Sequence, residues 1–299
     1  MKHIRIISPS GAIDPMFIDQ AAARLRNWGY EVSEGAHARG QWGRFAGTDE
    51  ERLADLTGAL ADPSVDWILC SRGGYGLQRI IDRVPPITKP LIGFSDITAL
   101  HQLSAISRQP SVHGIMCKHI ATLEEESEPI VMLRKVLEGE PLEYTVPAHP
   151  LNRLGETMAM ITGGNLSVLY GLQGTAFGIR QSAAGGQKPI LLIEDIGERH
   201  YHIDRMMRGL KMSGVLADLS GLIVGQFSNC EDDPGMNETM YETIKEAVAE
   251  YDYPVLFNAP FGHVEHNLPL WLSRPTRMII SAGGTVLRTC GEPVLRTCT

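Results

Sequence analysis

Val65-Asp66-Trp67-Ile68-Leu69-Cys70-Ser71-Arg72-Gly73-Gly74-Tyr75-Gly76 decides the fold class. Its apolar run from Trp67 to Cys70 reads as a strand buried on both faces, the kind found in parallel sheets covered by helices. The strand opens directly into three glycines and one fixed cation, Arg72, and the pattern then predicts a helix over residues 77–82. Upstream, Thr48 and Glu51 form a capping box for a helix ending near Ala61, where Asp62-Pro63 stops it. Further upstream lie a strand in His3-Ile4-Arg5-Ile6-Ile7-Ser8, a helix over 16–28 with Phe17, Ala21, Leu25 and Trp28 at helical spacing, and a short strand at Tyr30-Glu31-Val32. Downstream, Pro90-Leu91-Ile92-Gly93-Phe94 is another strand that enters a helix, 97–106, through Ser95-Asp96. Repeated strand, loop and helix imply an α/β domain with a parallel sheet and helices on both faces. Ligands of such sheets lie beyond the carboxyl ends of the strands, so loops 71–76 and 93–96 share one functional rim.

Prolines at 141, 147 and 150 break the rhythm, and the reading is an N-terminal domain over 1–148, a linker over 149–157 and a second domain over 158–299. The second half has apolar strands at 190–193, 221–225 and 255–257 and helices near 165–173, 202–212 and 235–250. No repeat of domain size occurs. The echo of Leu287-Arg288-Thr289-Cys290 in Leu295-Arg296-Thr297-Cys298 reads as a terminal oddity, and Gln181 to Gln187 as a loose Gly-rich insertion.

Composition narrows the function. With 43% hydrophobic and 21% charged residues over 299 positions, the chain is a globular protein rather than a disordered one. Thirty-five acidic against 27 basic side chains leave a net charge of −8, and no basic block is present to bind nucleic acid. No run approaches the ~18 apolar residues of a membrane span, and Met1-Lys2-His3 leads into no signal peptide. Five cysteines, 70, 117, 230, 290 and 298, are odd in number and form no Cys-x-x-Cys pair, which suits free thiols in a reducing cytoplasm. Cys70, inside an apolar run, reads as strand core.

Ser95, between Gly93-Phe94 and a helix, sits where a sharp turn can lift a hydroxyl clear of the sheet beside free backbone N–H groups. The full Gly-x-Ser-x-Gly pattern is absent because Ile97 holds the last position, and the competing reading of Ser95 is a helix N-cap. The 72–76 loop fits an oxyanion or carboxylate cradle; no Gly-x-x-x-x-Gly-Lys or Gly-x-Gly-x-x-Gly motif marks a nucleotide site. A serine nucleophile needs a base, and composition does not choose among ten histidines. His263 follows the strand 255–257 on a loop, and Glu194 ends the strand 190–193 where its carboxylate can orient an imidazole. A metal reading rests on His200, His202, His263 and His266 with Glu194, Asp195 and Asp204, but no His-Glu-x-x-His or zinc-finger spacing supports it, and no metal or cofactor is expected.

Several segments, in order, resemble the LD-carboxypeptidase family of serine peptidases: Phe45 to Arg52 with Asp55-Leu56, Arg72 to Gly76 with Arg79, Gly93 to Leu100, His113-Gly114, Gly163 to Leu166, Glu194-Asp195 with Tyr201, Ile203, Asp204 and Arg205, and Gly262-His263. The resemblance spans about residues 3–272. It implies a Ser95, Glu194, His263 triad, a flavodoxin-like or glutaminase-like first domain, a second domain with a β-barrel-like core, an active site between them, and a homodimer. Its implied substrate is a murein tetrapeptide, cut before its terminal D-alanine during peptidoglycan recycling; a related branch, the microcin-immunity peptidases, cleaves a peptidyl or aminoacyl-nucleotide amide. A non-catalytic binder of a carboxylate ligand is the reading from another class. On the catalytic reading the amides of Asp96, Gly73 and Gly74 supply the oxyanion hole, and Arg72 with Tyr75 binds substrate. Family members continue after the histidine with Leu-Pro-x-Gly, whereas this chain has Leu268-Pro269-Leu270-Trp271, so Trp271 is expected to reshape the pocket.

Overall fold

The computed structural model describes residues 1–179 and 187–290. The Gly-rich stretch 181–187, apart from Gln187, and the second Leu-Arg-Thr-Cys copy lie outside the described residues. The strands in chain order are β1 His3–Ile7, β2 Glu31–Glu34, β3 Trp67–Cys70, β4 Leu91–Gly93, β5 Ser111–His113, β6 Glu143–Val146, β7 Gly155–Asn165, β8 Ile190–Ile196, β9 Gly221–Ser228, β10 Val255–Leu256, β11 Leu270–Leu272, β12 Pro275–Ser281 and β13 Gly284–Thr289.

They form two sheets. The first has the order β11-β5-β4-β3-β1-β2 and is parallel from β2 to β5, as the alternating strands and helices imply. Its last strand, β11, is antiparallel to β5, with Trp271 opposite Val112. The second sheet runs β10-β9-β8-β7-β12-β13-β6, parallel from β10 to β7 and antiparallel from β7 to β6. Each half of the chain therefore lends an edge strand to the other's sheet: β6 lies between Pro141 and Pro147 of the crossing and β11 returns from far downstream. Tyr144 of β6 donates its hydroxyl to the Pro269 carbonyl just before β11, joining the two exchanged strands.

Local chemistry sets the helix ends. Asp14 accepts the Met16 amide at 2.9 Å and Pro15 occupies the first turn of the helix Pro15–Asn27. Thr48 and Glu51 make the reciprocal capping box of the helix Asp49–Ala61. Residues 77–82 differ from expectation: two 3₁₀ turns, Leu77–Arg79 and Ile81–Arg83, replace the helix. Ile80, at φ −128°, leaves helical geometry between the two turns, and the first Leu77 amide is committed to the Asp96 carboxylate at 3.0 Å. Trp271 is buried in the core, its ring 5.9 Å from that of Trp67 and its face covered by the Arg274 guanidinium, 3.6 Å from the ring centroid. It lines no part of the cleft described below, so the expected reshaping of the pocket by Trp271 does not occur.

Candidate active site

The turn after β4 is built around Ser95. Phe94 is fully extended, Ser95 is left-handed at φ +68°, and one 3₁₀ turn, Ser95–Ile97, leads into the helix Thr98–Ile106. A non-glycine residue at positive φ is uncommon and costs about 1–3 kcal/mol, which the surroundings must offset. An N-cap residue is extended instead, so Ser95 is not the helix cap. The fastening comes from Asp96, a buried side chain that accepts Ser10 Oγ at 2.5 Å and the Leu77 amide at 3.0 Å, tying this turn to the loops after β1 and β3. Burial raises the Asp96 carboxyl above the usual range, against those hydrogen bonds. Gly93 is required because a Cβ there would lie 2.9 Å from Ile97 Cγ1.

Arg52 fastens the same rim from below. Its side chain is fully buried; Nη1 donates to the carbonyls of Pro9 at 2.6 Å and Gly76 at 3.1 Å, and Nη2 to Asp49 at 2.5 Å. Arg79 closes on the same Asp49 carboxylate. The segment Phe45 to Arg52 thus holds the 72–76 loop in place without entering the cleft.

Glu194 comes from β8, where β9 carries an extra residue: Ile193 pairs with Val224 but Asp195 with Phe227. Such a bulge re-aims a side chain. Space for the carboxylate is left by two glycines, since a Cβ on Gly225 would lie 3.2 Å from Glu194 Cβ, and one on Gly262 3.1 Å from Glu194 Oε2. Glu194 is fully buried and its Oε2 accepts His263 Nδ1 at 2.7 Å. That bond puts the proton on Nδ1 and leaves Nε2 free as an acceptor. Burial opposes charge on the imidazole, but the Glu194 carboxylate outweighs it and raises His263 above its ordinary value. Burial likewise opposes the Glu194 anion, and the imidazoles of His113 and His263 overcome it, holding the carboxyl at about 2.

Asp195 faces the other way. It accepts Asn165 Nδ2 and the Ser167 amide, both at 2.8 Å, while the Asn165 amide donates to Thr98 Oγ1 at 2.9 Å. Burial and the adjacent Glu194 push Asp195 up to about 6. Gly163-Gly164-Asn165 therefore docks the second sheet onto the helix that follows Ser95.

Ser95 and His263 line one cleft of about 540 Å³, together with Arg72, Gly73 and Gly74. The Phe94 ring meets the His263 imidazole edge-on at 4.9 Å. Among the described residues no hydrogen bond joins the Ser95 hydroxyl to the imidazole; such bonds commonly tighten only around substrate. Arg72 is exposed in this cleft, donates to the Ala12 carbonyl at 2.6 Å, and among the described residues has no carboxylate within 4.0 Å. Tyr75 lies instead in an adjoining hollow of about 300 Å³ that also reaches Ser95, Asp96 and Asn165. The cleft residues missed in the sequence include Lys118 and His119. They follow β5, whose carboxyl end belongs to the same rim, and that rule alone points to them. Burial lowers His119 to about 4, leaving it neutral.

The metal reading finds no site: His200 bonds Thr243, His202 bonds Glu198 and His266 pairs with Glu128, and no three ligating side chains converge among the described residues. No helix among the described residues is long and apolar enough to cross a membrane.

Two family models match the chain, the LD-carboxypeptidase N-terminal domain over residues 4–114 and the LD-carboxypeptidase C-terminal domain over 158–278. A relative named probable murein peptide carboxypeptidase, from Bacillus subtilis, is 32% identical over 275 residues, 87% of this chain and 83% of the relative. The murein tetrapeptide carboxypeptidase of Pseudomonas aeruginosa is 28% identical over 282 residues, 89% of each. Among solved structures, muramoyltetrapeptide carboxypeptidase from Oxalobacter formigenes superposes with a TM-score of 0.86 at 24% identity, over 97% of this chain and 99% of that one. The microcin self-immunity protein MccF, in complex with aspartyl sulfamoyl adenosine, gives 0.81 at 18% identity over 97% and 96%. Both likenesses are of fold.

Proposed function

Since the chain belongs to the LD-carboxypeptidase family and is a hydrolase of that class, we propose that it releases terminal D-alanine from murein tetrapeptide through an acyl-enzyme on Ser95. The observation that carries this reading is the buried Glu194 locked to His263 Nδ1 at 2.7 Å, with the imidazole and Ser95 facing one cleft.

In the proposed reaction His263 Nε2 takes the Ser95 proton as Oγ attacks the carbonyl of the diamino acid. Glu194 fixes the tautomer and stabilises the imidazolium that forms. The amides of Asp96 and of Gly73 or Gly74 receive the developing oxyanion; one such donor is worth about 3–4 kcal/mol. His263 then passes its proton to the departing D-alanine nitrogen, and water, deprotonated by the same imidazole, cleaves the ester. Arg72, assisted by Lys118, takes the free carboxylate beside the scissile bond, and Tyr75 borders the peptide from the adjoining hollow. The proposal includes a homodimer working in the cytoplasm on peptides from peptidoglycan recycling.

A substrate panel tests it. Murein tetrapeptide ending in D-alanine and aspartyl sulfamoyl adenosine are each incubated with the protein, and products are read by mass spectrometry. Tripeptide supports the reading; cleavage of the nucleotide amide alone replaces it with the microcin-immunity activity, and cleavage of neither, with no labelling of Ser95 by a serine-directed probe, replaces it with the binding protein.

A further inference from the structure

His113, at the end of β5 in the first sheet, is fully buried, and both ring nitrogens lack a hydrogen-bond partner. Glu194 Oε1, on β8 of the second sheet, is also buried and without one. Unpaired polar atoms in a dry interior are costly and rarely left so. These orphans face each other: His113 Nε2 stands 3.8 Å from Glu194 Oε1, too long for a hydrogen bond and within reach of a small closure. Among the described residues the ion-pair neighbours of Glu194 are His113 on one oxygen and His263 on the other.

We propose that His113 is a positioning residue of the catalytic machinery, donating from Nε2 to Glu194 Oε1 across the boundary between the two sheets so that the carboxylate is held by two imidazoles. The inference rests on the triad reading above. It gives the halves of the cleft a direct mechanical link: Ser95 and His113 belong to one sheet, Glu194 to the other, and the pairing sets the distance between nucleophile and base. Phe94, adjacent to Ser95, has its ring 5.7 Å from His113 and 4.9 Å from His263, so one aromatic ring packs against both imidazoles. Behind His113, the His101 ring is already committed, Nε2 to the Gly93 carbonyl and Nδ1 to Ser111 Oγ, both at 2.9 Å, and does not compete for Glu194. Glu194 and His101 stand beside His113, and across the Phe94 ring lie His263 and His119.

The test compares wild type, His113→Phe and His113→Gln, the last retaining a donor. Thermal melting identifies folded variants, and the rate of labelling by a serine-directed acylating probe is followed against pH beside D-alanine release. The expected result for His113→Phe is a fall of about 10- to 100-fold in kcat and labelling rate, as when an orienting partner is lost, with KM little changed. Its acid limb moves to higher pH, because an unshared Glu194 charge holds the His263 proton more firmly, and His113→Gln recovers most of the rate. An unmoved limb, with Phe and Gln either both active or equally impaired, would overturn the proposal. Probe labelling of wild type without any D-alanine release would sink the substrate reading alone, since labelling still reports the His113 effect.

Discussion

Gly73 lies against the Ser95 turn so closely that a Cβ on it would stand 2.6 Å from Ser95 Cβ and 2.9 Å from Ser95 Oγ. Its carbonyl is held by the Gly11 amide at 3.0 Å, so the loop is not free to back away. Gly73→Ala should therefore displace the hydroxyl and lower kcat by about 100-fold, the usual consequence of an ångström of misplacement. Steady-state kinetics with a melting curve checks this; a folded variant at full rate would refute the contact's importance.

Glu194→Gln removes the anion that raises His263 while leaving the burial that lowers it. On the proposed mechanism activity requires the neutral imidazole, so it should fall as pH drops through the His263 pKa, which in wild type lies above the ordinary 6.5. The acid limb of kcat/KM should move to lower pH in the variant, while the maximal rate drops by roughly 10⁴-fold as the tautomer is lost. An unshifted limb would mean that another group titrates there.

Arg52 bridges Pro9, Gly76 and Asp49 from a fully buried position. Replacing it with Met leaves the carbonyls of Pro9 and Gly76 without their donor while Asp49 keeps Arg79, at a cost of about 1–3 kcal/mol for each unsatisfied acceptor. Urea unfolding measures this directly, and a change below about 1 kcal/mol would leave Arg52 without a structural role.

Arg72→Ala should raise KM for the carboxylate-ended peptide by about 10- to 100-fold, the loss of one charge-assisted pair. The same peptide ending in an amide should be cleaved by the two proteins with similar KM. Unchanged KM on the free acid would assign carboxylate binding to Lys118.

The parallel sheet and its rim were legible because β1, β3 and β4 are apolar runs, each delivering the chain into glycine, serine or a helix cap. β11 was not: three buried residues carry no alternation, and pairing with β5 is a contact far apart in the chain. β6 hid among the prolines of the crossing, although Tyr144 and Val146 alternate with exposed neighbours. Of the site, Ser95, Glu194 and His263 were placed as a set through resemblance; strand ends alone located each loop. The buried orphan pair of His113 and Glu194 had no sequence signal, because burial and the approach of two sheets arise only on folding.

Whether Ser95 cleaves the bond before terminal D-alanine is tested by incubating wild type and Ser95→Ala with murein tetrapeptide and following free D-alanine by mass spectrometry. Tripeptide and D-alanine are expected from wild type and neither from a folded Ser95→Ala, as a nucleophilic Ser95 requires. Release by Ser95→Ala at the wild-type rate would contradict it.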